Sequence, residues 1–507
     1  MNAPVRLDHA PLSAADLEAV ARHARPVELS DAARTAMARS RKLVDDTLAA
    51  GRVSYGINTG FGELSHVVIP TDDVTRLQLN LIRSHCVGVG PPLAEEVVRG
   101  MLLLRADSLS RGFSGVRPAV VELLVAMLNH SVTPIVPEQG SVGASGDLAP
   151  LAHLAAVLVG EGEATWQGRR MAGGEALAAA GLAPVTLEAK EGLALINGTQ
   201  AMTSSAALAI RDSERLLDAA QVAAALCLDA LKGSLAPFDP RFHAVRPHPG
   251  AGLVARHLRV LLADSEIVAS HVGCAKVQDP YSLRCAAVVL GASHDALTHV
   301  REVAEREMRS VTDNPLCFAE AGEILSGGNF HGQPIALVLD YLAIAMAEVA
   351  SISERRTYLV LDGRVSGLSP FLARQPGLQS GLMMAQYTAA ALVSENKILA
   401  HPASVDSIPT SAGMEDHVSM GMTGAVKLRR ILDNVRRVLA VELITGAEGL
   451  ERHRPLTSGA GAEEAVRRVR RHVAPLTDDR PLSGDIESLA LAIKTGEFEL
   501  ASILGEI

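Results

Sequence analysis

The chain has 507 residues, 48% of them hydrophobic but only 3% aromatic, so Ala, Leu and Val supply the apolar content, a usage that favours helices over sheets. A formal net charge of −10, from 47 Lys and Arg against 57 Asp and Glu, argues against a nucleic-acid partner and for a soluble chain. The five cysteines (Cys86, Cys227, Cys274, Cys285, Cys317) are scattered and form no C-x-x-C pair, which suggests neither a zinc site nor a disulfide framework and fits a reducing, cytoplasmic setting.

Taken in order, the chain opens with Arg6, Asp8, Asp16 and Glu18 and no continuous apolar block, unlike a signal peptide. Ser13 and Ser30 each stand before a helical patch as N-caps. The string Tyr55-Gly56-Ile57-Asn58-Thr59-Gly60-Phe61-Gly62 reads as a mobile loop carrying a phenol. Thr71 to His85 has helical spacing at Val74, Leu77, Leu81 and Ile82, which places His85 at a helix end, where a cation offsets the dipole. Leu93 to Ser108 and Val116 to Asn129 are further apolar helices. Pro134 and Pro137 then stop helix formation ahead of Gly140-Ser141-Val142-Gly143-Ala144-Ser145-Gly146-Asp147.

That glycine loop is not a phosphate loop, since no Gly-Lys-Ser/Thr follows, and its G-x-x-G-x-x-G spacing is neither a dinucleotide fingerprint nor a nucleophile elbow. Read alone, it is a turn with Asp147 as the N-cap of the next helix. Residues 160 to 190, rich in glycine around Trp166, read as an irregular or hairpin excursion, and Asn197 before Gly198 as a turn. Long helices follow at roughly Thr203 to Lys232, Arg284 to Ser310, Pro334 to Arg356, Leu378 to Leu399 and Gly424 to Glu448. Each is about 30 to 45 Å long at 1.5 Å per residue and must be buried by the others, so the expected fold is all-α, a long-helix bundle whose central helices meet those of other subunits. The apolar run Pro334 to Ile352 contains Asp340 and Glu348 and is read as a buried helix rather than a membrane span. The basic run Val466 to Arg471 has Glu463 and Glu464 one turn earlier, at i,i+4 to Arg467 and Arg468, and is read as a solvated helix face.

Between the long helices lie Gln278-Asp279-Pro280-Tyr281-Ser282-Leu283-Arg284, whose Arg can fork onto a carboxylate or sit in a surface ion pair, and Asn329-Phe330-His331-Gly332-Gln333. Ser411-Ala412-Gly413-Met414-Glu415-Asp416-His417 sets two carboxylates beside an imidazole, a pattern that in isolation is a solvated loop.

These strings together resemble the aromatic amino acid ammonia-lyases. In that family the tripeptide matching Ala144-Ser145-Gly146 cyclises and dehydrates to 4-methylidene-imidazol-5-one (MIO). The resemblance implies a fumarase/aspartase-like helix bundle, with a smaller N-terminal globular part at 1–112 and the electrophile-bearing bundle at 113–507. It implies catalytic roles for Tyr55, Tyr281 and Glu415 and substrate contacts from His85, Asn197, Gln278, Arg284 and Phe330. Ser84-His85 and Glu415 match the histidine-specific members, so L-histidine is the expected substrate and urocanate and ammonia the products. A tyrosine or phenylalanine lyase or aminomutase with the same electrophile is the alternative. Tyr55 and Glu415 both stay open as the base. No pyridoxal phosphate, metal or membrane partner is expected. The family's homotetramer shares its sites among subunits, with Tyr55 and Tyr281 coming from chains other than the one bearing the electrophile. Met414 departs from the Gln that many histidine-specific members carry.

Overall fold

The computed structural model describes residues 3–60, 62–273 and 277–505, and it is predominantly α-helical, with small two- and three-stranded sheets. It divides into two compact units, each discontinuous in the chain: Met1–Arg211, Arg301–Asp340 and Pro402–Val426 form the first, and Asp212–Val300, Tyr341–His401 and Lys427–Ile507 the second. Neither begins or ends at residue 112; the boundary expected there is of another kind, by order along the sequence.

In the first unit the cap residues act as their types dictate. Ser13 and Asp16 form a reciprocal capping box at Ala14–His23, and Ser30 accepts from Ala33 N–H at the start of Asp31–Ala49. The helix Glu95–Ser110 is buried on every side from Val97 onward, and Pro118–Asn129 packs against it, beginning at Pro118 because proline is preorganised for the first helical position. The excursion after residue 160 is a hairpin, Glu163–Trp166 against Arg169–Ala172. Gln167 and Gly168 at its tip both have positive φ, the two-residue turn whose twist matches the strands. Val5–Leu7 and Val27–Leu29 form a parallel pair that three-residue strands are too short to announce by alternation.

What positions the site is a trio of helices, Val74–His85, Leu148–Leu158 and Glu191–Ile196, which pack on one another. The first ends in His85, the second starts just after Gly146, and the third ends at Asn197, so packing their apolar faces gathers three chemically distinct chain segments.

The second unit holds the later parts of the helices Gln200–Ala230, Gln333–Leu361 and Gly421–Glu451, together with Met383–Leu399. Gly446 and Gly449 let backbones approach closely: a Cβ on Gly446 would lie 2.7 Å from Leu226 Cβ. Arg356 and Glu442, both fully buried, pair through two hydrogen bonds, one of 3.0 Å, so neither charge is left without a counter-ion. The Gln333–Leu361 helix is long and apolar enough to cross a membrane by length and composition, yet 67% of its most apolar stretch is buried inside the protein. In Ala460–His472, Glu464 pairs with Arg467 and Arg468 as a solvated face requires, whereas Glu463 turns to Arg454 instead of Arg467. Four described cysteines (Cys86, Cys227, Cys285, Cys317) are free thiols; Cys274 lies outside the described residues.

Candidate active site

The glycine loop is held at both ends. Ser419 Oγ and Gly332 N–H donate to the Gly143 carbonyl at 2.9 and 3.3 Å, and Met420 N–H donates to the Val142 carbonyl at 2.9 Å. On the far side Asp147 N–H donates to the Gly198 carbonyl at 2.7 Å. The Asp147 carboxylate does not cap its own helix, as the sequence suggested. It accepts from Ala201 and Met202 N–H and from Ser141 Oγ, and so caps the start of the Gln200–Ala230 helix, where amides are orphaned and the dipole favours a negative charge. Burial pushes this carboxyl up to about 6 against the pull of those three donors.

Gly146 has φ +74, and a Cβ there would sit 2.1 Å from the Gly198 carbonyl oxygen, so the position admits only glycine. Among the described residues nothing hydrogen-bonds to the Gly146 N–H or to the Ala144 carbonyl, the two groups that ring closure must join. Asn197 Nδ2 donates to the Ser145 carbonyl at 2.8 Å. A loop with anchored ends, an unengaged nucleophile and acceptor, and a donor on the central carbonyl fits the methylidene-imidazolone.

Behind Asn197 stands Arg105, fully buried, donating Nη1 to the Asn197 carbonyl at 2.8 Å and to Gln200 Oε1 at 3.0 Å. Burial lowers its guanidinium to about 10, which leaves it a cation at neutral pH. It fixes the turn from which Asn197 reaches the loop.

Glu415 closes the site from above. Ser145 Oγ donates to its Oε1 at 2.7 Å and Thr410 Oγ1 to its Oε2 at 2.6 Å. The carboxylate rides on a tight turn in which Ser411, Ala412 and Gly413 all have positive φ; such backbone costs about 1 to 3 kcal/mol per non-glycine residue and persists where the surroundings dictate it. His85 Nδ1 lies 2.8 Å from the Leu81 carbonyl, which can only accept, so the proton sits on Nδ1 and Nε2 is left as an acceptor. Burial lowers the His85 pKa, opposed by the Leu81 hydrogen bond and the nearby Glu415 charge, so the ring is neutral at neutral pH.

Tyr55 stands beside this same turn. Gly62 N–H reaches its hydroxyl at 3.5 Å, and Gly62 in turn abuts Ser411, whose Oγ a Cβ on that glycine would meet at 2.8 Å. Its loop thus packs on the Glu415 turn of its own chain, where the resemblance implied a contribution from another chain. Phe330 is half-buried, two residues before Gly332, which bonds to the glycine loop. Met414 is exposed and, having no amide, contributes no hydrogen bond of the kind a Gln would.

Gln278, Tyr281 and Arg284 belong to the second unit and form a cluster of their own. Arg284 donates to Gln278 Oε1 and lies over the Tyr281 ring, 5.5 Å from its centroid. Gln278 and Arg284 line a cavity of about 630 Å³ with Asp279 and Phe242, and Tyr281 is 74% exposed.

Sequence reasoning missed Thr410, Ser419, Arg105 and the true partner of Asp147. Thr410 stands five residues before Glu415 with a glycine between, a weak turn signal; the others act across long sequence separations and leave no local mark.

The model of the family described as aromatic amino acid lyase matches residues 12–471. The chain belongs to that family. It is 54% identical over 495 residues to the histidine ammonia-lyase of Sorangium cellulosum (strain So ce56), covering 96% of each chain. Among solved structures, histidine ammonia-lyase from Trypanosoma cruzi superposes with a TM-score of 0.91 at 39% identity, over 99% of this chain and 95% of that one. Tyrosine aminomutase from Streptomyces globisporus superposes with a TM-score of 0.94 at 36% identity, over 100% of this chain and 99% of that one. Lyases and aminomutases of this family thus share the architecture, and side chains must separate their chemistries.

Proposed function

We propose that this chain eliminates ammonia from L-histidine to give urocanate, using an electrophile formed autocatalytically from Ala144, Ser145 and Gly146. The observation that carries the reading is the 2.7 Å hydrogen bond from Ser145 Oγ to Glu415, with the acceptor Nε2 of a neutral His85 nearby. Relatives named histidine ammonia-lyase support it.

The elimination removes an unactivated β-proton while a poor leaving group departs. When present, the methylidene supplies an electron-poor carbon that takes the substrate amine and makes it a better leaving group. The remaining work belongs to side chains. Asn197 holds the Ser145 carbonyl. Glu415 and His85 present acceptors to the N–H of an imidazole, and a site built to hydrogen-bond its substrate rejects a phenyl ring, by about 10⁴ to 10⁵ in comparable cases. Arg284, steadied by Gln278, forks onto the substrate carboxylate; Tyr281 orients the bound amino acid and Phe330 walls the site. Tyr55 and Glu415 are the two groups able to take the β-proton, and Tyr55→Phe and Glu415→Gln separate them: the base variant loses turnover while holding substrate, and the other weakens binding as well.

Completion of the site by Gln278, Tyr281 and Arg284 of a second copy, within a cytoplasmic homotetramer, accounts for the exposure of Tyr281. No pyridoxal phosphate, metal, nucleic acid or membrane enters this account. Histidine, tyrosine and phenylalanine assayed side by side test it. Urocanate from histidine alone is the expected result; turnover of tyrosine or phenylalanine in preference, or a β-amino acid product, assigns the chain to the alternative chemistries instead.

A further inference from the structure

Glu415 is an exposed-turn carboxylate given one orientation, and the residue that imposes it is not in any of the motifs read from the sequence. Thr410 and Glu415 form an isolated antiparallel bridge: Thr410 N–H donates to the Glu415 carbonyl at 2.9 Å, and Glu415 N–H returns to the Thr410 carbonyl at 3.3 Å. Gly413 and Met414 N–H close the intervening turn onto the Thr410 and Ser411 carbonyls, at 3.0 Å each. Residues directly opposite in such a pair carry their side chains on the same face within about 5.5 Å. The Thr410 hydroxyl and the Glu415 carboxylate are therefore brought together by the backbone, and they meet at 2.6 Å.

We infer that Thr410 is a positioning residue for the reaction: by donating to Oε2 it turns the Glu415 carboxylate so that Oε1 alone faces Ser145 and the substrate. The alternatives open to a free Glu side chain are many rotamers and full solvation, because the turn at Ser411 to Met414 is exposed. A hydroxyl donated to one carboxylate oxygen removes most of those rotamers. The β-branch of threonine limits χ1, so the hydroxyl is itself directed; serine at this position keeps the donor and loses part of the direction. The groups that face the carboxylate from other elements are the Ser145 hydroxyl on the glycine loop and the His85 imidazole at the end of Val74–His85. Neither replaces the Thr410 bond, since the Ser145 hydroxyl bonds the other oxygen and leaves as water when the ring forms, and His85 acts on the carboxylate only through space.

The inference rests on Glu415 contacting the substrate as proposed above, and the experiment separates the two. Thr410→Val removes the donor and keeps the shape. It lowers kcat/KM for histidine about 10- to 100-fold, the loss expected when a hydrogen bond to a charged group is removed, while Thr410→Ser recovers to within a few-fold of the parent. In parallel, the carboxylate stretch of Glu415, assigned by its disappearance in Glu415→Gln, is followed by infrared spectroscopy at fixed pH without substrate. The Glu415 carboxylate band shifts in Thr410→Val and returns in Thr410→Ser, a change that reports the loss and recovery of the hydrogen bond and that a merely structural role for the turn does not produce. Thr410→Ala is read in the same two ways if the valine variant fails to fold. Unchanged kcat/KM and an unchanged Glu415 carboxylate band overturn the inference. A parent protein inert toward histidine overturns the substrate reading, and the infrared band still decides the role of Thr410 by whether the Glu415 carboxylate stretch moves.

Discussion

At the scale of single residues, the site depends on what Ser145 and Gly146 permit and on what the groups around them forbid. Ser145→Ala keeps every anchoring bond of the loop, since these run through Val142, Gly143, Asp147 and the Ser145 carbonyl, and loses the hydroxyl from which the methylidene arises. The variant folds as the parent does by circular dichroism, and its urocanate release falls by several powers of ten. Asp147 gives a second residue-scale prediction. Its folded pKa of about 6 lies above the usual carboxyl value, so its contribution to stability is present in full below about pH 4 and is lost as pH rises through 6, a change on the order of 3 kcal/mol. Asp147→Asn retains an oxygen for the Ala201 and Met202 amides and does not titrate, so denaturation measured from pH 4 to 7 shows a flatter dependence than in the parent. Asp218, also pushed up to about 6 by burial, contributes to both proteins and cancels in the difference.

At the scale of elements, the trio of packed helices sets the distances between His85, Ser145 and Asn197, and a defect in its packing is felt at the chemistry. Ile82 is fully buried in Val74–His85, three residues before the imidazole. Ile82→Ala costs about 2 to 5 kcal/mol in chemical denaturation, and it raises KM for histidine while leaving a substrate-independent property, the two-water deficit from the variant's own sequence mass, unchanged. Elements were also the scale at which the sequence was most readable. The Ser13 and Ser30 caps and the long apolar runs that became Gln200–Ala230, Gln333–Leu361 and Gly421–Glu451 are local signals, and local signals set helix positions to within a few residues. Asp147 shows where that legibility ends. Its sequence context is that of an N-cap, and it is one, but for a helix more than fifty residues away. Thr410 is similar: its importance comes from a backbone bridge around three left-handed residues, which no propensity of Thr, Ser or Ala foretells. The Tyr55 loop was recognisable by its string, yet its packing beside the Glu415 turn left no mark in the sequence.

On the scale of the whole molecule, the chemistry proposed here divides between two clusters, Ser145, Asn197, His85 and Glu415 in one unit and Gln278, Tyr281 and Arg284 in the other. If the second cluster serves the site of another copy, two inactive variants complement each other. Ser145→Ala co-expressed with Arg284→Ala forms mixed assemblies in which some sites hold both an intact Ser145 and an intact Arg284, and activity returns to a fraction set by random mixing. The separately purified variants stay inactive. Absence of recovery, with mixed assemblies verified by differential tagging, shows instead that each chain builds its site alone.

All of these expectations depend on a covalent change in the backbone at Ala144, Ser145 and Gly146, and intact mass spectrometry of the purified chain measures that change without reference to any substrate. The account predicts a mass lower than the sequence mass by two water molecules, with the deficit mapped to the peptide containing Gly143 to Asp147 and absent from Ser145→Ala. A purified chain that turns over histidine while carrying its full sequence mass contradicts it.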